Sequence, residues 1–300
     1  MAAYRWPMPE ESGRLRLHPV LVSGGGRSGT TLLMLLLGTS PRIVFDRVHP
    51  YEHRYLTYLL RWAQLLRPGR APKPWTQVAM VSRGDEMMGP LPWADADLVG
   101  GEGDFWQQCF LGAWEELSAR AAQAVTAAHP GVEASHYAEK APPWLTAELD
   151  GLLPCTVLLP VRDPRDVFLS VVSFVEKRGA PGFGMRPGER PEEFARRFVA
   201  LQQRRLREAG RALQSGEATV VRYEDLVGDL PGEARRLSGL LGIPLDPAGV
   251  GAGEAHYRQH STTGSPTESV GRWRHELSPE IRDLFSRELA GDLEPLGYEP

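Results

Sequence analysis

Short apolar runs alternate along the chain with segments of helical period, and this alternation predicts an α/β fold. The first run covers residues 19–23 and leads through three glycines into a helix-like stretch over 30–38. The clearest run covers 156–162 and leads through Asp163-Pro164, a favourable helix start, into another helix. Strands that alternate with helices predict a mostly parallel central sheet with helices on both faces.

The same pattern predicts five further helices and two further strands. The helices cover 51–67, 105–128, 191–213, 233–241 and 279–290, and the strands cover 136–140 and 218–223. In the helix over 51–67, an apolar face is formed by Tyr55, Leu59, Trp62 and Leu66. Residues 68–104 are irregular and rich in Pro and Gly, which predicts a long loop or lid. No repeat or linker divides the sequence, so residues 1–300 are predicted to form one domain.

A glycine-rich segment, Gly24–Thr31, follows the first predicted strand and opens the first helix. Ligands of parallel sheets bind at the carboxyl ends of the strands, and backbone amides at such a junction bind anions. Compared with the phosphate loop of nucleotide hydrolases, Thr30 occupies the lysine position, and the nearby cation is Arg27. The segment therefore predicts an anion site and weakens an ATPase or kinase interpretation.

A second anion site is predicted where the strand over 156–162 ends. Arg162 closes that strand, and Ser170 lies 8 residues later in the following helix. A guanidinium and a hydroxyl in these positions are able to converge on one phosphate. Arg165 and Asp166, between them, are interpreted as a solvated surface pair.

Composition limits the remaining possibilities. The chain has 300 residues, 42% of them hydrophobic, and its net charge of −4 argues against a nucleic-acid partner. Its two cysteines, Cys109 and Cys155, lack zinc-ligand spacing, so neither a metal site nor a disulfide framework is expected. We see no signal peptide and no apolar run of about 20 residues, and therefore expect a cytoplasmic protein without a membrane span.

Arginine makes up 31 of the 34 basic residues, which is typical of GC-rich coding sequence. A few of these arginines are expected to face an anion, because the planar guanidinium matches anionic oxygens.

Four motifs together resemble those of the sulfotransferases that use 3′-phosphoadenosine 5′-phosphosulfate (PAPS). They are Arg27–Thr31, Arg162–Ser170, Val221–Leu226 and Gly271–Arg274, in the order found in that family. With arginine rather than lysine in the first loop, the chain is more similar to the bacterial, Golgi carbohydrate and tyrosylprotein branches than to the cytosolic aryl branch. The resemblance implies a phosphate-loop-type sulfotransferase fold.

The resemblance also implies the residues that bind PAPS and its product, 3′,5′-adenosine bisphosphate (PAP). They are Gly26, Arg27, Ser28, Gly29, Thr30 and Thr31 at the 5′-phosphosulfate, Arg162 and Ser170 at the 3′-phosphate, Tyr223 near the adenine and the 3′-phosphate, and Gly271, Arg272 and Trp273 in a segment that closes over the nucleotide.

In the mechanism that the resemblance implies, the acceptor hydroxyl attacks sulfur in line, without a metal. Arg27 neutralises charge on the leaving oxygen, and Lys140 assists at the bridging oxygen. The implied general base is Glu52, which lies 25 residues after Arg27, a few more than is usual in the related branches. His53 or His49 is the alternative base, because the pKa of an imidazole lies near neutrality.

Two other functions remain open, a magnesium-dependent kinase of similar architecture and a non-catalytic nucleotide-binding protein. The acceptor is open as well, and a carbohydrate, a lipid or a small natural product would fit. Aromatic residues in or beside the long loop are candidates for an acceptor pocket, namely Trp75, Trp93, Phe105 and Trp106. The sequence does not determine the oligomeric state.

Overall fold

The computed structural model describes residues 16–66, 80–83, 86–90, 104–253 and 262–300. Five strands form a central sheet, with the bounds His18–Val22 (β1), Ile43–Val44 (β2), His136–Lys140 (β5), Thr156–Val161 (β6) and Thr219–Arg222 (β7). They are parallel and lie in the order β2-β5-β1-β6-β7. A separate antiparallel hairpin pairs Met80–Arg83 (β3) with Glu86–Pro90 (β4).

Helices connect the strands of the central sheet and follow the last of them. They are Thr30–Leu37 (α1), Tyr55–Gln64 (α2), Phe105–Ala128 (α3), Trp144–Leu149 (α4), Pro164–Arg178 (α5), Pro191–Ser215 (α6), Tyr223–Gly228 (α7), Leu230–Leu241 (α8), Trp273–Glu276 (α9) and Pro279–Leu293 (α10). Short 3₁₀ helices cover Pro247–Gly253, Thr267–Ser269 and Glu294–Leu296. Among the described residues, no helix combines the length and apolar character needed to cross a bilayer.

Alternate residues of β1 enter different cores, which places helices on both faces of the sheet. Val20 and Val22 pack with residues of α1 and α8, whereas Leu21 packs with residues of α2, α3 and α4. Successive side chains of a strand point to opposite faces, so these cores lie on opposite sides. The predicted α/β fold with a mostly parallel sheet is confirmed.

The helix α5 begins as its sequence predicts. Asp163 precedes it and accepts a hydrogen bond from the Arg165 amide at 2.9 Å, while Pro164 is its first residue. The helix ends at Gly179, whose φ of 64° is a left-handed conformation that glycine adopts readily. The helices α4, α7 and α9 were not predicted, since four to six residues are too few to show a period.

The prediction for α2 was wrong in its start and in its buried face. The helix begins at Tyr55 rather than at residue 51, and it buries Leu56 and Leu60, while Tyr55 is 47% and Trp62 53% exposed. Amphiphilic aromatic side chains tolerate exposure better than leucine, so period alone assigned the wrong face.

Within the predicted loop over 68–104, the described residues include the hairpin of β3 and β4, which the sequence did not predict. Trp75 and Trp93 lie outside the described residues. Phe105 and Trp106 open α3, and Trp106 is buried in the core formed with α2 and α4.

Candidate functional site

The glycine loop lies between β1 and α1 and adopts a strained local backbone. Arg27 has a φ of 68° and Gly29 a φ of 95°. A Cβ atom added to Gly29 would lie 2.6 Å from the Tyr223 ring, so this position requires glycine for conformation and for space. The Ser28 hydroxyl donates to the Gly25 carbonyl at 2.7 Å, which closes the turn from within.

Arg27 joins the glycine loop to the second predicted anion motif. Its Nε donates to the Ser170 hydroxyl at 2.9 Å, and its guanidinium lies 5.1 Å from the centre of the Phe174 ring. Ser170 and Phe174 both belong to α5. Two motifs separated by more than a hundred residues in sequence therefore form one site.

Arg162 is buried at the end of β6, with 6% of its surface exposed. Its guanidinium lies 4.4 Å from the Tyr223 ring centre and donates to the carbonyls of Arg27, at 3.3 Å, and Ser269, at 2.5 Å. Its Nε is buried and has no hydrogen-bond partner within the described structure. The Nε–H group of the Arg162 guanidinium is thus available to donate to a bound anion.

Lys140, the last residue of β5, reaches into the loop from the neighbouring strand. Its Nζ donates to the Thr31 hydroxyl at 2.9 Å and to the Pro50 carbonyl at 2.6 Å, and it lies 3.6 Å from Glu52. Burial lowers the pKa of Lys140 to about 8, and the Glu52 carboxylate opposes part of that shift. The ammonium therefore remains the main form at neutral pH.

Glu139 is a buried residue beside the site to which sequence reasoning assigned no role. Its buried carboxylate accepts hydrogen bonds from the amides of Leu56, at 3.0 Å, and Thr57, at 3.1 Å, at the start of α2. The Tyr137 hydroxyl donates to it at 2.8 Å, and burial raises its pKa. Glu139 and Lys140 together attach the segment that carries Glu52 to the sheet. The only sequence signal was the position of Glu139 directly before Lys140 at the end of a predicted strand.

Residues of the glycine loop, β5, β6 and α5 surround one cavity of about 300 Å³. Its lining includes the predicted residues Gly26, Arg27, Gly29, Thr30, Thr31, Glu52, Lys140, Arg162, Ser170 and Tyr223. Ser28 is 6% exposed beneath the loop and does not line the cavity.

The candidate bases take different positions. Glu52 and His49 line the cavity, and Glu52 is 55% exposed. His53 lies outside the lining, and its Nδ1 is 2.7 Å from the Asp46 carboxylate. The geometry thus brings Glu52, but not His53, beside Lys140.

The predicted tail residues do not line the cavity. Asp166 accepts hydrogen bonds from the amides of Gly271, at 2.6 Å, and Trp273, at 3.0 Å. Arg272 pairs with Glu276 at 2.6 Å, and Trp273 is 8% exposed. The predicted tail residues therefore contact Asp166 of α5 rather than the cavity.

The interpretation of Arg165 and Asp166 as a solvated surface pair was wrong. Arg165 is 0% and Asp166 1% exposed. The Arg165 guanidinium forms two 2.9 Å hydrogen bonds with Asp163 and lies 3.6 Å from the centre of the Trp273 ring. Burial raises the pKa of Asp166 to about 6, although the two amides lower it in part. Packing by the tail, distant in sequence, removes both residues from solvent.

Comparison with known proteins gives a family match. The family model described as "Sulfotransferase family" matches residues 19–247. No curated protein matches the chain.

Several solved structures are similar at low identity. Retinol dehydratase in complex with androsterone and the inactive cofactor PAP has 18% identity over 93% of this chain and 82% of that chain, with a TM-score of 0.46. The sulfotransferase domain of the Synechococcus olefin synthase has 18% identity over 99% and 100% of the two chains, with a TM-score of 0.47. A sulfotransferase from Alicyclobacillus acidocaldarius has 14% identity over 94% and 95%, with a TM-score of 0.45.

Proposed function

The chain belongs to the sulfotransferase family, and on that premise we propose that it transfers a sulfuryl group from PAPS to an acceptor hydroxyl. One observation carries the proposal. A single cavity brings together the glycine loop, the Arg162 and Ser170 pair, and the adjacent Lys140 and Glu52. An adenosine with anionic groups at both its 3′ and 5′ positions requires two anion sites, whereas a simple phosphate ligand requires only one.

The residues fit PAPS at both anionic ends. The glycine loop and the N-terminus of α1 offer backbone amides to a 5′-phosphosulfate. Arg162 has an unpartnered buried Nε, and Ser170 supplies a hydroxyl, for a 3′-phosphate. Bound PAPS would supply an activated sulfuryl group, and the residues of the chain would bind, orient and neutralise charge.

Lys140 favours sulfuryl transfer over the magnesium-dependent kinase alternative. In nucleotide-hydrolysing phosphate loops, the hydroxyl at the position of Thr31 binds Mg²⁺. Here that hydroxyl accepts a hydrogen bond from the Lys140 ammonium at 2.9 Å. A fixed ammonium at this point provides positive charge for a leaving oxygen, and Arg27 adds a second cation at the same loop.

Glu52 is the proposed general base, because its exposed carboxylate lies at the mouth of the same cavity beside Lys140. A base needs access to the acceptor hydroxyl as well as proximity to the reacting group. His49 also lines the cavity and is the second candidate. A non-catalytic nucleotide-binding protein would have no need for a carboxylate and an ammonium at this position.

Calorimetric titration tests this function directly. We expect PAP to bind in the presence of EDTA, and more tightly than ATP with magnesium. Labelled PAPS with a panel of carbohydrate, lipid and small aromatic alcohols should yield products that gain the mass of one sulfuryl group. A preference for ATP with magnesium, or no binding of PAP, would overturn the proposal.

A further inference from the structure

A second, smaller cavity of about 160 Å³ lies against the glycine loop. Its lining joins the loop residues Gly24, Gly25 and Gly26 to α6, and it shares Gly26 and Arg162 with the first cavity. Cavities that enclose whole ligands measure roughly 300–1,000 Å³, so this one has room for a single functional group.

Arg205 of α6 forms one wall of the second cavity. Its guanidinium packs so closely on the loop that a Cβ atom added to Gly25 would lie 2.6 Å from Nη1. It makes no hydrogen bond or ion pair with any residue in the described part of the chain, and burial lowers its pKa. The exposed Glu208 carboxylate opposes only part of that shift, so this partly desolvated guanidinium favours a further anion from outside.

Gln202 supplies a second, independent indication at the same cavity. It is 5% exposed, and its buried Nε2 has no hydrogen-bond partner in the described structure. Buried polar atoms are paired in the large majority of native structures. An amide nitrogen and a guanidinium, both without hydrogen-bond partners in the described structure and one turn apart on α6, together match the acceptor oxygens of an oxyanion.

The charges around the cavity also favour an anion. Arg162 and Arg205 both line it, against the single carboxylate of Glu208, which is exposed to solvent.

We propose that the second cavity binds an oxyanion carried by the acceptor, a carboxylate or a phosphate group. The proposal rests on the proposed sulfuryl transfer, because it assigns the anion to the acceptor rather than to PAPS. Since the two cavities adjoin across Gly26, an acceptor lying along the loop would place its hydroxyl in one and its oxyanion in the other. The enzyme would thus select hydroxylated acids or phosphate esters over neutral alcohols.

The test titrates inorganic phosphate, and separately acetate, into the full-length protein saturated with PAP, with binding followed by calorimetry. Saturation with PAP fills the first cavity, and the two arms distinguish a phosphate group from a carboxylate. We expect at least one of these probes to bind. Arg205→Met should weaken that binding about ten-fold or more, the scale of a lost charged hydrogen bond. Gln202→Leu should weaken it by less.

Arg204→Met is the matched control, since it removes the same charge from the adjacent, exposed position. It should leave probe binding near the wild-type value, and Arg205→Lys should give an intermediate affinity because the ammonium lacks the planar fork. Absence of probe binding in the wild type, or equal binding by Arg205→Met, would overturn the inference. A loss of PAP affinity in Arg205→Met that matches the loss of probe affinity would assign the guanidinium to the cofactor instead. Failure of PAP itself to bind would contradict the proposed function, and the PAP titration alone reveals it, apart from the result for the second cavity.

Discussion

The two halves of the main cavity differ in how firmly their side chains are held. The donor half, proposed to bind PAPS, is formed by Gly26, Arg27, Gly29, Thr30, Thr31, Arg162, Ser170 and Tyr223. The side chains of Arg27, Arg162, Ser170 and Tyr223 each have a hydrogen-bond neighbour, and only the Arg162 Nε among the donors used by the proposal is unpartnered in the described structure. In the acceptor half, the part of the lining around Glu52 and Phe183 that we propose receives the acceptor, Glu52 is 55% exposed and lies 3.6 Å from the Lys140 ammonium. Phe183 is 44% exposed.

This difference separates binding of a constant ligand from binding of a variable one. Side chains that are held before the ligand arrives lose little entropy on binding, which favours affinity. Exposed side chains adapt to different partners but hold none of them tightly. The donor half is therefore expected to determine PAPS affinity and the acceptor half to determine turnover and acceptor choice.

The largest effect is expected for Glu52→Gln, which changes the acceptor half. Loss of a general base lowers turnover by roughly 10²- to 10⁴-fold, whereas PAP affinity should remain at the wild-type value. The measurements are kcat with labelled PAPS and calorimetric titration with PAP. His53→Gln is the control and should stay active, because His53 contacts Asp46 outside the cavity. An active Glu52→Gln enzyme would transfer the role of base to His49.

The complementary test is Arg162→Ala in the donor half. Removal of this guanidinium should weaken PAP binding by about 1.5–3 kcal/mol, the scale of hydrogen bonds to charged groups. Arg272→Ala is the comparison, since Arg272 pairs with Glu276 and does not line the cavity, and its effect on PAP affinity should be smaller. Equal losses of PAP affinity in the two variants would show that Arg272 contributes to PAP binding as much as Arg162 does.

A pH profile tests Lys140, which lies between the two halves. Its pKa of about 8 means that the ammonium is lost as pH rises through that value. We expect kcat/KM, which reports the free enzyme, to fall above about pH 8. Lys140→Arg keeps the charge at high pH and should shift the falling limb upward. A profile that is flat through pH 9 would show that the ammonium is not required.

The smallest effect is expected at Asp166, which fixes the tail behind the donor half. Its pKa of about 6 lies above that of an unfolded carboxyl group. Protonation therefore contributes stability that is complete below the unfolded pKa and is lost as pH rises through about 6. Compared with Asp166→Asn, the wild type should lose unfolding free energy between pH 4 and 6 in denaturant titrations. If the unfolding free energies of the two proteins changed in parallel with pH, the raised pKa of Asp166 would be contradicted.

Local sequence was sufficient for much of the donor half. Glycines between a strand and a helix predicted the loop, and Asp163-Pro164 predicted the start of α5, because turn and capping chemistry depend on adjacent residues. The same reasoning failed for Arg165, which sits next to Asp163 but is buried by Trp273 from the tail. It also missed Glu139, since its partners are backbone amides more than eighty residues earlier.

The sequence by itself determined the alternation of strands and helices and the position of the glycine loop between a strand and a helix. Those features follow from backbone conformation, periodicity and capping, which are local. Only the tertiary structure decided that Arg27 contacts Ser170, that Lys140 contacts Thr31, and that Arg205 lies behind Gly25. Burial, pairing and pKa depend on neighbours that the fold brings from distant parts of the chain, so no local pattern contains them.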